Sequence, residues 1–264
     1  MRQLAKVLSI DIETQRGIVE VFDLWPKYID MKQVRVPTRI LCFAAKWRDE
    51  EEVQFYSAFK ERRDYNVDAK QYRAMLQAAW DLLTEADVVV TYNGNKFDLG
   101  WFKGEFGRLE LGPPAPYRSL DLYAVAKKHF APANMSMKLD WFSRRWLGDK
   151  KVGHGDLWSA IRYGTRDEQL AAQQLMMDYN IHDVVLTERL FDRFLPWTGM
   201  NFALFDQDNE DRLVCPYCES TRYHKRGFAP GLSYMYQRYK CLNPKCGGWF
   251  KGKKMIYTTE LRPV

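Results

Sequence analysis

The chain has 264 residues, is 46% hydrophobic and carries a net charge of +6. That is enough for one full α/β domain with a small second one, and it argues against a largely disordered chain. No apolar run is long enough to span a membrane and no signal peptide is evident, so the expectation is a cytoplasmic protein with no membrane partner.

In chain order, the apolar run Lys6–Ile10 leads into Asp11-Ile12-Glu13-Thr14 and predicts a strand over 6–12. Side chains at i and i+2 of a strand share a face, so Asp11 and Glu13 lie about 7 Å apart at a rise of about 3.3 Å per residue. Carboxylates that close repel unless something neutralises them, and hard divalent cations with oxygen ligands do so. Further strands are expected at 17–23, 39–48 and 52–57, with Cys42 as core filling in an apolar strand. A helix over 69–86 precedes a strand over 87–92, which runs into the Asn93-Gly94 turn and a helix over 97–107. Asp98 then sits at a strand end and a helix N-terminus, where sites form in open α/β sheets; taken alone, a helix cap is the plainer reading.

Helices are expected at 121–130, 138–147 and 167–194. Asp121, in a Leu-Asp-Leu alternation, reads as a strand-end residue rather than a fifth acidic group. The basic pairs Lys127-Lys128, Arg144-Arg145 and Lys150-Lys151 are candidates for a strand groove, although most such pairs are simply solvated. In the last helix Tyr179 and Asp183 are i and i+4 and share one face. Leu175, Met176, Val184, Leu186, Leu190 and Phe194 supply its packed stripe.

Residues 196–211 read as a linker, with Pro196, Gly199 and an acidic patch at Asp206, Asp208, Glu210 and Asp211, between domains at 1–195 and 212–264. Beyond it, Cys215-x2-Cys218 and Cys241-x4-Cys246 flank a 22-residue spacer. Four thiolates on two tight turns are the ligand set of one structural Zn²⁺; two disulfides are the alternative, disfavoured in a reducing compartment. A segment of about 50 residues has too little core to fold without such a staple. From Arg212 onward there are eleven Lys and Arg against two Asp and Glu, while the remainder has 29 against 32, so the net positive charge resides in the tail. Arg222, Lys225, Arg226, Arg238, Trp249 and Lys251 are candidate nucleic-acid contacts, cations on phosphates and rings against bases. The alternative is a stabilising cap or a protein-docking module.

Together, Asp11 and Glu13, Asn93 and Asp98, and Tyr179 with Asp183 resemble the three motifs of the DEDD superfamily of 3′→5′ exonucleases, the DnaQ-like group with an RNase H-like fold. The Tyr-x-x-x-Asp spacing is similar to that of the tyrosine subclass, DEDDy. The histidine subclass places its His five residues before the last Asp, where this chain has Asp178. Thr38–Trp47, Ser119–Leu122 and the stretch Lys138–Lys151 also resemble phage and bacterial exonucleases related to the proofreading domain of family-B DNA polymerases. This likeness covers residues 1–195, and the tail resembles the zinc ribbons of some transposases and other DNA-associated proteins.

The resemblance implies an α/β fold, an RNase H-like mixed sheet flanked by helices, plus a small C-terminal four-cysteine zinc ribbon. It implies two Mg²⁺ or Mn²⁺ ions about 4 Å apart. Asp11 would bridge them, Glu13 and Asp183 would complete the first, and Asp98 would hold the second. Tyr179 would orient the attacking water, backbone near Thr14 would meet the 3′ nucleotide, and Asn93 would contact substrate or orient its own motif. DNA is the favoured substrate and RNA the alternative, because discrimination between them depends on contacts to the 2′ position. A non-catalytic nucleic-acid-binding or polymerase-docking module is a third reading, against which the full set of carboxylates argues. Proofreading would require a replication or polymerase partner in trans, in a bacterial or phage-infected host cytoplasm.

Overall fold

The computed structural model describes residues 5–48, 50–59, 69–153, 155–205, 213–231 and 234–259. It divides into two units, Lys6–Glu188 and a second that comprises the chain from Arg189 onward. The acidic patch expected at 206–211 lies outside the described residues.

The first unit runs β1 (Val7–Gln15), β2 (Ile18–Val19), β3 (Val34–Val36), β4 (Arg39–Trp47), β5 (Gln54–Ser57), α1 (Ala69–Glu85), β6 (Val88–Thr91), α2 (Asp98–Arg108), β7 (Arg118–Asp121), α3 (Leu122–Phe130), α4 (Leu139–Phe142), α5 (Leu157–Tyr163) and α6 (Arg166–Phe194), the last crossing into the second unit. Five strands form one mixed sheet in the order β5-β4-β1-β6-β7. β1 pairs antiparallel with β4 and parallel with β6, so it lies at the centre. This is the mixed sheet flanked by helices that an RNase H-like fold requires.

The alternation of β1 divides its residues between two faces. Leu8, Ile10 and Ile12 enter a core with Phe43 and Ala45 of β4, Leu76 and Leu83 of α1, and Phe102 and Phe106 of α2. Each such fully buried side chain contributes about 1.5–3 kcal/mol. Ser9, Asp11 and Glu13 fall on the other face by the two-residue period. A bulge follows Glu13: Glu13 pairs with Cys42 but Thr14 with Ile40, leaving Leu41 as the extra residue. Leu41 and Cys42 consequently both pack with Leu157 of α5 and Ala172, Met176 and Tyr179 of α6.

The strand expected over 17–23 is corrected. Only Ile18–Val19 is extended, in a separate two-stranded ladder with β3, because β4 and β6 already occupy both edges of β1. The helix expected over 138–147 ends at Phe142 and continues as a π-helical turn, Ser143–Leu147, closed by Gly148 in the left-handed region at φ 67°. α5 was not legible in the sequence pattern, and of β7 only the strand end at Asp121 was read. β7 has four residues of which only Leu120 is a buried apolar one, too short a run to show a period.

In the second unit, β8 (Tyr223–Pro230), β9 (Tyr234–Cys241) and β10 (Trp249–Thr258) form an antiparallel sheet with β9 in the middle. Its small core is Cys215, Tyr239, Cys241 and Phe250, with Tyr223 set edge-on to both rings. Phe202 is buried in this unit, its amide donating to the Pro216 carbonyl. Among the described residues no helix is long and apolar enough to cross a membrane.

The turn between β6 and α2 fixes where the sheet presents Asp98. Asn93 adopts a left-handed conformation at φ 65°, and its amide donates to Asp121 Oδ1 at 2.8 Å. Asp121 also receives the amides of Asn95 and Tyr123, so it clamps the turn and caps α3. Gly94 is needed for close approach: a Cβ there would lie 2.5 Å from Thr91 Cβ and 2.7 Å from Asp98 Oδ2. Gly94→Ala is therefore expected to cost about 1–3 kcal/mol, the usual penalty of overpacking. A urea titration with the unfolding midpoint unmoved would show that the turn yields without strain.

Candidate active site

Each acidic side chain reaches the β1 face by a specific local device. Asp98 opens α2 but does not simply cap it: its Oδ1 accepts the amide of Ile12 at 2.9 Å, between the two acidic residues of β1. Asp183 and Tyr179 are both buried on α6, one turn apart. Between them Asn180, fully buried, donates from Nδ2 to Asp11 Oδ2 at 2.7 Å and to the Asp11 carbonyl at 3.2 Å. Motif one is thus tied to motif two through Ile12 and to motif three through Asn180.

This enclosure makes the carboxylates weak acids. Burial, then the charges of Asp98, Asp183 and Glu13, push Asp11 well above the carboxylate range. Glu13 rises to about 8, through burial and then Asp183. Burial lifts Asp98 to about 6 despite the Ile12 amide, and lifts Asp183 as well. Once ionised, the set would carry more negative charge than its surroundings compensate, the electrostatic condition of a cation site. Asp183 Oδ1 is buried with no hydrogen-bond partner among the described residues, a lone-pair acceptor available to a cation.

One cation of the chain itself stands there. Lys151 Nζ forms an ion pair with Asp183 Oδ2 and donates to Tyr179 Oη at 2.9 Å, lying 4.9 Å from the ring centroid. Burial alone would lower its pKa, but Asp183 and Tyr179 raise it further than burial lowers it, so the ammonium stays charged. Burial and Asp183 in turn push Tyr179 up, keeping it a protonated phenol that hydrogen-bonds Asp183. The loop carrying Lys151 is braced twice. Asp140 Oδ1 accepts the Lys151 amide at 3.2 Å, and His182 Nε2 lies 2.9 Å from the Lys150 carbonyl.

Thr14 lies at the bulge, and its carbonyl accepts Trp158 Nε1 at 2.9 Å. Asn93 is held by backbone in the turn above. Lys151, Asn180 and Trp158 were missed as site residues by the sequence reading. Asn180, a polar residue inside the apolar stripe of a long helix, was the one readable signal; Lys151 appeared only as half of a basic pair.

In the second unit the four cysteines converge, with all four ligand atoms within 4.8 Å of one another. Cys215 and Cys246 Sγ are 3.8 Å apart and Cys218 and Cys241 Sγ 3.6 Å. Tetrahedral Zn–S bonds of about 2.3 Å place sulfurs about 3.8 Å apart. Each knuckle turns through a left-handed residue just after its second cysteine, Glu219 at φ 55° and Gly247 at φ 56°. Asn243 donates from backbone and side chain towards Cys241 and Cys218 sulfurs. Among the described residues this is the one cluster of metal-ligating groups already close enough to hold an ion.

Cross-strand pairing sorts the basic residues of this sheet. Lys240 pairs with Trp249 and His224, and Arg238 with Lys251, so these share one face. Arg238 and Lys240 lie 4.8 and 5.1 Å from the Trp249 ring, and Lys251 4.5 Å from Tyr236. Lys225 pairs with Tyr239 and lies on the opposite face. Arg222 and Arg226 are exposed, with the Arg226 carbonyl accepting Arg238 Nε at 2.9 Å.

A search of curated proteins found no significant match to the chain. A family model described as the RNase_H superfamily matches residues 36–195, which include Asp98, Tyr179, Asn180 and Asp183. Nuclease-type chemistry on nucleic acid is what that superfamily implies at this coarse level. The match spans more than half the sequence and agrees with the mixed sheet: the chain belongs to the RNase H superfamily.

Proposed function

We propose that the chain is a metal-dependent 3′→5′ exonuclease of the DEDDy type, related to family-B polymerase proofreading domains and acting on single-stranded 3′ ends of DNA. The observation that carries this reading is the gathering of acidic groups around Asp11: Asp98 accepts the Ile12 amide beside it, Asn180 of α6 donates to its carboxylate, and the charges of Asp98, Asp183 and Glu13 act on it. A binding domain gains nothing from buried negative charge against phosphates, whereas a hydrolase needs oxygen ligands for divalent ions.

Asp11, Glu13 and Asp183 would hold one Mg²⁺ or Mn²⁺, and Asp11 with Asp98 a second. Bound there, such ions supply Lewis-acid charge for phosphodiester hydrolysis. The oxygen-only donor set and the unpartnered Asp183 Oδ1 fit that role. Tyr179, a protonated phenol, positions water rather than abstracting its proton. Asn180 holds Asp11 in the orientation it needs. Lys151 competes with a cation for Asp183 and keeps Asp183 and Tyr179 in place while no ion is bound. The four cysteines would bind one structural Zn²⁺, and Arg238, Lys240, Trp249 and Lys251 would assist in holding the strand. RNA remains the alternative substrate for the same chemistry, and a polymerase partner in trans would make the activity proofreading.

With 5′-labelled single-stranded DNA and RNA of one sequence and Mg²⁺ or Mn²⁺, the protein should produce a ladder shortening from the 3′ end, absent in Asp11→Ala. Binding without cleavage by the unaltered protein would instead support a binding module. Mn²⁺ should also raise the thermal midpoint of the unaltered protein and leave that of Asp11→Ala unmoved; an equal rise in both would place the ion elsewhere. Metal analysis should find about one zinc per chain. That zinc should be lost in Cys218→Ser, and its retention there would remove Cys218 from the ligand set.

A further inference from the structure

On the first unit, outside the carboxylate cluster, a cavity of about 340 Å³ is lined by Ser136, Lys138, Asp140, Trp141, Arg144 and Arg145. Its floor is aromatic and its rim basic. The Trp141 ring is fixed by a hydrogen bond from Nε1 to Asn134 Oδ1 at 3.0 Å, and the Arg145 guanidinium lies 5.7 Å from the ring centroid. Arg144 is neutralised, since its Nε reaches both Asp140 oxygens at 2.9 and 2.8 Å. Lys138 and Arg145 are exposed, and neither has a carboxylate at ion-pair distance among the described residues. The π-helical turn begins here, a distortion that recurs at functional sites.

Two hydrogen bonds link this cavity to the candidate site. Asp140, on its wall, accepts the amide of Lys151, whose own side chain ends on Asp183 and Tyr179. On the other side Met137, beside Lys138, accepts Tyr92 Oη at 2.6 Å, at the end of β6 next to Asn93. One lysine side chain therefore separates the cavity wall from the carboxylates. A strand whose 3′ end lay at the carboxylates would have neighbouring nucleotides within reach of the cavity.

We propose that this cavity is a nucleotide subsite for a residue of the substrate strand at least two positions upstream of the one being removed, beyond the reach of a dinucleotide. The inference rests on the exonuclease reading. The base stacks on the Trp141–Arg145 platform, and its flanking phosphates meet Lys138 and Arg145. Cations alone would suit an acidic peptide equally; the oriented indole favours a base, because every base offers a π face.

The test uses the full-length chain carrying Asp11→Ala and fluorescein-labelled single-stranded DNA, a dinucleotide and a longer oligomer, read by anisotropy. Trp141→Ala should weaken the longer oligomer about tenfold, in the range for loss of one stacked base. Trp141→Phe, which keeps a ring, should restore most of that. Lys138→Gln with Arg145→Gln, both exposed and so safe for folding, should lower the slope of log affinity against log salt by about 1.4, about 0.7 for each cation. Dinucleotide affinity should stay unchanged in every variant. Unaltered binding of the longer strand by Trp141→Ala, or equal weakening of both ligands, would overturn the subsite. In the catalytically intact background, the nitrophenyl ester of thymidine 5′-monophosphate separates the two claims. Its turnover should be the same with and without Trp141→Ala; no turnover by the unaltered protein of that ester or of any oligomer would defeat the exonuclease reading, while the anisotropy result would still decide the subsite.

Discussion

Asp11 and Glu13, on one face of a central strand, lie within electrostatic reach of Asp98 and Asp183, and the contacts around them answer that crowding. Burial raises Asp11, Glu13, Asp98 and Asp183, and neighbouring carboxylates raise Asp11 and Glu13 further, so the cluster opposes folding at neutral pH unless cations or hydrogen-bond donors compensate. The donors are specific: an Ile12 amide for Asp98, an Asn180 amide group for Asp11, a lysine ammonium for Asp183. Hydrogen bonds to charged groups contribute about 1.5–3 kcal/mol each. Three of them offset a part of the cost, and the packing of Leu8, Ile10 and Ile12 on the opposite face supplies the rest of what holds the strand. A cluster that costs stability in this way breaks a local rule of folding, which is most often met at functional sites.

What the sequence made legible follows from the range of each signal. The alternation of β1 is local, so the shared face of Asp11 and Glu13 could be read directly; the one-turn spacing of Tyr179 and Asp183 was equally local. The same rule misled at 17–23, where Val19 and Val21 alternate as in a strand but are exposed, the flanks of β1 being taken by β4 and β6. The role of Asp98 needed a contact spanning 86 residues, from its carboxylate to the Ile12 amide, which no pattern around Asp98 distinguishes from a helix cap. Lys151 meets Tyr179 across 28 residues and Asn180 meets Asp11 across 169. Neither partner carries a mark of the other in its own neighbourhood.

The second unit meets the problem of a small core in a different way. Its buried centre is two cysteines and two aromatic rings, Tyr239 stacked on Phe250 with centroids 5.4 Å apart. So little apolar area cannot order a three-stranded sheet without a cross-link, and the convergence of four sulfurs supplies the means of one. Once that face of the sheet is committed to sulfur and rings, the register leaves His224, Arg238, Lys240, Trp249 and Lys251 on the other. The period of two therefore divides a strongly basic tail into a structural face and a cationic one, and assigns Lys225 to the first despite its sequence neighbours.

Lys151 joins the electrostatics of the first unit to its surface. Its ammonium neutralises Asp183, its amide is held by Asp140, and Asp140 in turn pairs with Arg144 on the cavity wall. On the reading proposed above, a ligand that shifted Arg144 would alter the grip of Asp140 on the Lys151 backbone, and a cation bound at Asp183 would displace the Lys151 side chain. Both events act on one residue, held at its amide from the cavity side and at its ammonium from the carboxylate side. Because a coupling free energy is reciprocal, occupancy of the cavity and cation binding at the carboxylates must influence each other to the extent that Lys151 moves with either. The path is short: the Arg144 side chain meets the Asp140 carboxylate, which holds the Lys151 backbone amide, so the coupling would be a matter of local geometry.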